Sequence, residues 1–170
     1  MDGGGIESVK NIHPQSLLKN FDCGVEVLNH YLARYATKND VLGIGKTFVT
    51  LSDGKVAGYF TLAAAQIAFA DVPAEHREKL PKYPVPALRI ARLAVDKSFQ
   101  GKGFGKRLLK QAFLKIIQVA EVTGLYFIIV DAKESSKSFY ERYGFIRLQE
   151  KELTYFIPVE TVRSAVYVLR

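Results

Sequence analysis

The stretch at residues 92–109, RLAVDKSFQGKGFGKRLL, limits the fold more tightly than any other part of the chain. An apolar strand end runs into a loop with glycine at 101, 103 and 105, and the loop opens directly onto a helix. Leu108, Leu109, Ala112, Phe113, Ile116, Ile117 and Ala120 form one apolar stripe with Lys106, Lys110 and Gln118 mostly off it, so the spacing predicts a helix over 105–122. Gly124 stops that helix, and residues 125–130 are a continuous apolar run of the kind covered on both faces. Strand, helix, strand in this order implies a parallel pair with a right-handed crossover. The first amides of the helix lack intrahelical partners, and Lys102, Lys106 and Arg107 surround them. Loop and helix start together predict a cradle for an anion, a pyrophosphate first of all.

The remaining elements arrange themselves around this stretch. Residues 13–21 read as a strand followed by a turn or short helix. Asp22 is placed to N-cap a helix on which Val25, Leu28, Leu32, Tyr35 and Ala36 recur at helical spacing. Residues 39–45 supply turn chemistry, and Asp53-Gly54 between the apolar runs 47–51 and 55–69 signals a hairpin with Gly58 as a bulge or close-approach point. Prolines at 73, 81, 84 and 86 make residues 71–86 a surface excursion with at most a short helix near 74–80. Residues 87–95 are a buried strand carrying Arg89 and Arg92, which strict alternation puts on opposite faces and a bulge would bring to one side. Downstream, Ser135 or Ser136 caps a short helix with Phe139, Tyr140 and Tyr143, ended by Gly144. Residues 145–148 and 153–157 form a closing antiparallel pair, Pro158 opens a short helix, and 165–169 are a terminal strand.

A length of 170 residues with 48% apolar residues suits one domain over 1–170 with a single core. No apolar run approaches the ~18 residues that span a bilayer, so a soluble, cytoplasmic protein is expected. Cys23 is the only cysteine, which excludes an internal disulfide, argues against a structural zinc site and suits a small buried apolar role. The net charge of +7 draws polyanions at long range without assigning a nucleic-acid partner.

Two nucleotide motifs fail. GIGKT at 43–47 resembles the end of a P-loop, but Asp40 stands where its first glycine is required and no apolar strand precedes it. At 105–107 the magnesium-binding Ser/Thr is replaced by Arg107, and Gln100 takes the leading glycine position. The spacing of GKGFGK also departs from a dinucleotide fingerprint.

Gln-x-x-Gly-x-Gly at 100–105, after Arg-Leu-Ala-Val-Asp at 92–96, resembles the coenzyme A loop of GNAT-type N-acetyltransferases, and most of the chain fits that resemblance. It implies an α/β (α+β) GNAT fold: a mixed central sheet with a splayed parallel strand pair, flanked by helices, that admits a pantetheine arm. It also implies acetyl-CoA as cosubstrate and no metal. Leu93 and Val95 would offer backbone groups to the acetyl and pantetheine units, and Gln100, Gly101, Lys102, Gly103, Phe104, Gly105 and Lys106 would bind the diphosphate. Residues 139–145, FYERYGF, resemble the family's Phe-Tyr-x-x-x-Gly-Phe segment, which places Phe139 at the cofactor and makes Tyr140 the general acid for the departing thiolate. A backbone N–H near Leu93 would serve the oxyanion. No side chain stands out as general base. Asp96 and Asp131 lie at strand ends, where hydrogen bonding or capping is their expected role, so the amine is expected to arrive neutral or to lose its proton through water.

A narrower resemblance rests on Phe21-Asp-Cys-Gly, Leu28-Asn29, Leu32, Thr47-Phe-Val, the prolines at 84 and 86, and Arg92-Leu-Ala-Val. Together these look like the GNAT toxins of bacterial toxin–antitoxin modules, which acetylate the amino group of aminoacyl-tRNA and block translation. This implies a tRNA substrate, with Arg77, Lys79, Lys82, Arg89 and Arg92 as phosphate contacts, and a ribbon-helix-helix antitoxin as partner. A homodimer is left open. Two rivals remain: a GNAT enzyme for a small-molecule or protein amine, which predicts an acidic acceptor pocket, and a non-catalytic coenzyme A-binding module.

Overall fold

The computed structural model describes residues 5–149 and 151–168. Two compact units emerge, one of Met1–Ala63 with Ala91–Ala112 and one of Ala64–Ile90 with Phe113–Arg170.

The first unit is built on an antiparallel ladder of β1 (Ile6–Ser8), β2 (Lys46–Ser52) and the start of β3 (Lys55–Ile67). The β2–β3 connection turns at Asp53 and Gly54 with φ of 52° and 72°, the pair of left-handed residues that an Asp-Gly hairpin supplies. The register slips between Thr50 and Leu51, and Gly58 lies opposite Thr50 at that irregularity. A Cβ on Gly58 would come within 2.6 Å of Leu108 Cδ1 and 2.8 Å of the Ala94 carbonyl, so glycine is required by close packing there.

Two helices, α1 (Glu26–Arg34) and α2 (Ala36–Leu42), cover this ladder with Tyr31, Leu32 and Ala36 buried. Three expectations need correction here. Residues 13–21 hold no strand, although Gln15–Asn20 form the short helix expected to follow it, as a 3₁₀ helix. Asp22 is not the N-cap, because α1 starts after Val25; its carboxylate instead accepts from Gly24 N and Asn29 Nδ2. Residues 39–42 are helical, and the turn chemistry read at 39–45 is the end of α2. Gly43 has φ 80°, Gly43 N donates to Asp40 O and Ile44 N to Asn39 O, which is a Schellman closure. Asp40, 2% exposed, ties α2 to β2 by accepting from Thr47 N at 3.1 Å and lying 3.5 Å from Lys46 Nζ.

The second unit carries the parallel pair. In β4 (Val85–Val95), residues 87–90 pair in parallel with 127–130 of β5 (Phe127–Asp131), and the register stops at Ile90 and Val130. β7 (Thr154–Pro158) then pairs antiparallel with β5 and with β6 (Ile146–Arg147). The class is therefore mixed α/β, mostly antiparallel with one parallel pair. Phe127, Ile128, Ile129 and Val130 are all buried, as the unbroken apolar run predicts, and each contributes about 1.5–3 kcal/mol by leaving water. The excursion holds the short α3 (Ala74–Arg77), and the long α4 (Phe104–Ala120) begins one residue earlier than its stripe suggests. After α5 (Lys137–Arg142), the chain ends in α6 (Val159–Val168), so the expected strand at 165–169 is helical as far as it is described, Leu169 lying outside the described residues. Val159 and Val162, three apart, are both buried, and this helical spacing overrides the strand preference of the valines.

Among the described residues no helix is long and apolar enough to cross a membrane.

Candidate active site

The glycine loop is held from below by side chains that sequence reasoning had not joined. Asp96 caps the 3₁₀ turn Lys97–Phe99 through Ser98 N at 2.9 Å, and its second oxygen accepts from Asp22 N at 3.0 Å. Lys97 N donates to Asp22 O at 2.8 Å, and Asp96 N donates to Ala57 O at 2.9 Å. The hydrogen bond from Gly24 N, then that from Asn29, lowers the Asp22 pKa below its usual value, so the carboxylate stays charged. Gln100 completes the brace: its Nε2 donates to Val95 O at 2.8 Å and to Cys23 O at 3.1 Å. The Gln100 side chain therefore fastens the loop to the Phe21-Asp-Cys-Gly segment, and Gln100 has only its backbone to offer a diphosphate.

Above the brace, Gly101 and Gly103 take φ of 75° and 83°, and a Cβ at either would meet nothing within 4 Å. Glycine is selected there for conformation, and the space over the loop is open. Phe99 and Phe104 are buried edge to face at 5.2 Å. Lys102 Nζ sits 5.8 Å over Phe99 and the Arg107 guanidinium 4.1 Å over Phe104, while Lys106 is exposed. Two positive-φ glycines, the start of a 17-residue helix and three basic side chains fit a diphosphate. Leu93, Val95 and Gly105 are half-buried beside this loop.

In the other unit, Tyr140 is 5% exposed, with Phe139 and Phe145 edge-on to its ring at 5.2 and 5.4 Å. Its hydroxyl has no hydrogen-bond partner among the described residues, and burial raises its pKa well above the ordinary tyrosine value. The Tyr-x-x-x-Gly-Phe spacing has a structural cause. Gly144 takes φ 93°, Gly144 N donates to Glu141 O, and Phe145 N donates to Tyr140 O, a Schellman closure in which the Tyr140–Phe145 contact is the usual apolar staple. Phe113 stacks behind Phe145 at 5.9 Å. The arrangement presents a neutral phenol, fixed in an apolar wall, that can donate a proton.

The five basic residues expected at phosphates meet different fates. Arg77, Lys79 and Lys82 are exposed on the excursion. His76 pins that excursion, its ring lying 5.3 Å from Phe127 and 5.8 Å from Tyr126, with Nδ1 3.1 Å from the Tyr126 hydroxyl. Only a lone His among prolines signalled this in the sequence. Arg89 is ion-paired with Asp131, which also accepts from Thr154 Oγ1. Arg92 stacks on Tyr31, its guanidinium carbon 3.4 Å from the ring centre.

Residues 43–147 match the acetyltransferase (GNAT) domain family. The chain belongs to the GNAT acetyltransferases. Within that family it is 36% identical to a tRNA-acetylating toxin of Mycobacterium tuberculosis over 142 residues, covering 83% of this chain and 85% of the relative. Among solved structures, AtaT complexed with acetyl-methionyl-tRNAfMet superposes with a TM-score of 0.85 at 27% identity, covering 95% of this chain and 98% of that one. A mutant AtaT toxin bound to the C-terminus of the antitoxin AtaR and acetyl-CoA gives a TM-score of 0.81 at 26% identity, covering 97% and 99%. GNAT membership makes the protein an acyltransferase and accounts for the glycine loop and the parallel pair together.

Proposed function

We propose that residues 1–170 act as one acetyltransferase domain that moves the acetyl group of acetyl-CoA onto the α-amine of aminoacyl-tRNA, blocking translation in the cytoplasm. The observation that carries this reading is the 36% identity to a tRNA-acetylating toxin over 83% of the chain. The Gly101–Gly103 turn, the α4 amides and Lys102 and Lys106 take the diphosphate, and the Leu93 and Val95 backbone guides the acetyl-pantetheine arm with Phe139 at its side. The amine nitrogen attacks the thioester carbonyl and the oxyanion turns to the Leu93 N–H. The C–S bond then breaks, and the Tyr140 phenol gives its proton to the leaving sulfur. The ammonium proton leaves through water, which restores the phenol. An esterified α-amine titrates at or below about 8, so a neutral nucleophile is available without a side-chain base. A ribbon-helix-helix antitoxin is the proposed partner and a homodimer the proposed assembly.

Purified protein incubated with labelled acetyl-CoA and bulk charged tRNA tests this directly. Acid-precipitable label is expected with charged tRNA and not with deacylated tRNA, and mild alkali should release it as N-acetyl amino acid. Label on polyamines or peptides but not on charged tRNA would replace this reading with a small-amine or protein acetyltransferase.

A further inference from the structure

Arg92 is unlike the ion-paired lysines of its unit. Lys97 faces Asp22 and Lys46 faces Asp40, whereas half-buried Arg92 meets no carboxylate among the described residues. A half-buried charge without a counter-ion is costly, and stacking on Tyr31 offsets only part of that cost. The stack covers one face of the guanidinium plane and holds its orientation. Its N–H edge is left to an external acceptor. Tyr31 is itself fixed: it is 6% exposed, and its hydroxyl accepts from Asn39 Nδ2 at 3.4 Å.

The aromatic surface continues outward from this point. Tyr35, one turn beyond Tyr31, stacks on it with ring centres 6.4 Å apart and planes 28° apart, yet is 48% exposed. Exposed His30 meets Tyr35 edge-on at 5.5 Å. His30 also lines a groove beside α1 with Lys19 and Arg34, where Glu26 is the single acid.

We infer that Arg92, Tyr31, Tyr35 and His30 form a track for the single-stranded 3′ end of an RNA acceptor, with Arg92 taking a backbone phosphate and Tyr35 and His30 stacking a base. The inference deepens the proposed function and rests on it. Single-strand binders pair a basic groove with exposed aromatics because every base has a stacking face, whereas duplex RNA keeps its bases inside. A small cationic amine would be repelled by Arg92, Arg34 and Lys19.

Tyr35→Ala and His30→Ala remove exposed rings, and unchanged melting temperatures will show that the fold survives. Steady-state kinetics compare charged tRNA with an aminoacylated CCA trinucleotide. Tyr35→Ala is expected to raise KM for both about tenfold, the loss of one stacked base, while KM for acetyl-CoA stays constant. Arg92→Met should lower the slope of log KM for charged tRNA against log salt by about one. Arg92→Lys should keep that slope yet still raise KM, because the point charge does not replace the stacked fork. If wild-type protein acetylates charged tRNA and Tyr35→Ala and His30→Ala leave both acceptor KM values unchanged, the track is overturned and the activity stands. If the wild type acetylates no charged tRNA, the functional reading falls. The track is then read from anisotropy of an uncharged CCA-ended oligonucleotide, where equal binding by wild type and Tyr35→Ala overturns it.

Discussion

Tyr140, the proposed general acid, owes its setting to a turn that takes no part in the proposed chemistry. Gly144 lets the chain reverse, Phe145 returns onto the Tyr140 ring, and the phenol is left buried and protonated. Tyr140→Phe keeps the packing and removes the proton, so kcat should fall about 10²–10⁴-fold with KM for acetyl-CoA unchanged; stopped assays with charged tRNA read both. The direction of the pKa shift adds a second check. A phenol whose folded pKa is raised stays protonated up to and beyond its usual value near 10, so the wild-type rate should show no falling limb from this group below about pH 10. Gly144→Ala tests the turn. At φ 93°, with Ile157 Cδ1 3.4 Å from the new Cβ, it should cost about 1 kcal/mol or more of stability by urea denaturation and lower kcat more than it raises KM.

The element that matters most is the loop between β4 and α4, and its glycines and its brace were unequally legible. Glycine at 101 and 103 marks positive φ, a local backbone demand, and Asp53-Gly54 is the same kind of signal. The stripe of α4 was visible because burial repeats at the helical period within the element itself. What the Gln100 side chain does was not, because its acceptors include a carbonyl 77 positions away at Cys23, and nothing in Gln-x-x-Gly-x-Gly encodes that partner. Asp22 was misassigned for a related reason: a carboxylate before a helical pattern reads as a cap, yet its oxygens go to Gly24, Asn29 and Lys97. Arg89 and Arg92 looked equivalent as strand cations until one met Asp131 and the other Tyr31. The brace gives an element-level prediction. Gln100→Met should raise KM for acetyl-CoA about tenfold, a loss near 1.4 kcal/mol for two hydrogen bonds, and leave KM for acetyl-pantetheine unchanged, since that substrate lacks the diphosphate. Asn29→Ala should act in the same direction and less than additively with Gln100→Met, because both loosen one network. Equal loss with acetyl-pantetheine would mean that the brace supports the fold generally rather than the glycine loop proposed to hold the diphosphate.

Across the whole molecule, each unit encloses a buried tyrosine, and this makes stability depend on alkaline pH. Tyr59 is fully buried and donates to Leu28 O at 2.7 Å; burial is the largest cause of its raised pKa, against which the nearby Arg92 charge acts. Tyr140 is raised by burial alone. Because both folded pKa values exceed the unfolded value near 10, both phenols are protonated in either state at pH 8 and stability is fully present there. As pH rises through 10, the unfolded chain releases these protons while the folded chain keeps them. The unfolded state then binds fewer protons, and the free energy of unfolding must fall with pH. The slope approaches about 1.4 kcal/mol per pH unit for each tyrosine, or about 2.8 for the two. Lysines titrate in the same range, so the informative quantity is the difference between wild type and a Tyr59→Phe, Tyr140→Phe double variant. Urea denaturation at pH 8.0, 10.0 and 10.8 should find the variant less stable at pH 8, where it lacks the bond to Leu28 O, and the gap should close as pH rises. Parallel declines in the two proteins would show that these phenols ionise as readily in the folded chain as in the unfolded one, and the apolar wall proposed for the catalytic proton would lose its physical basis.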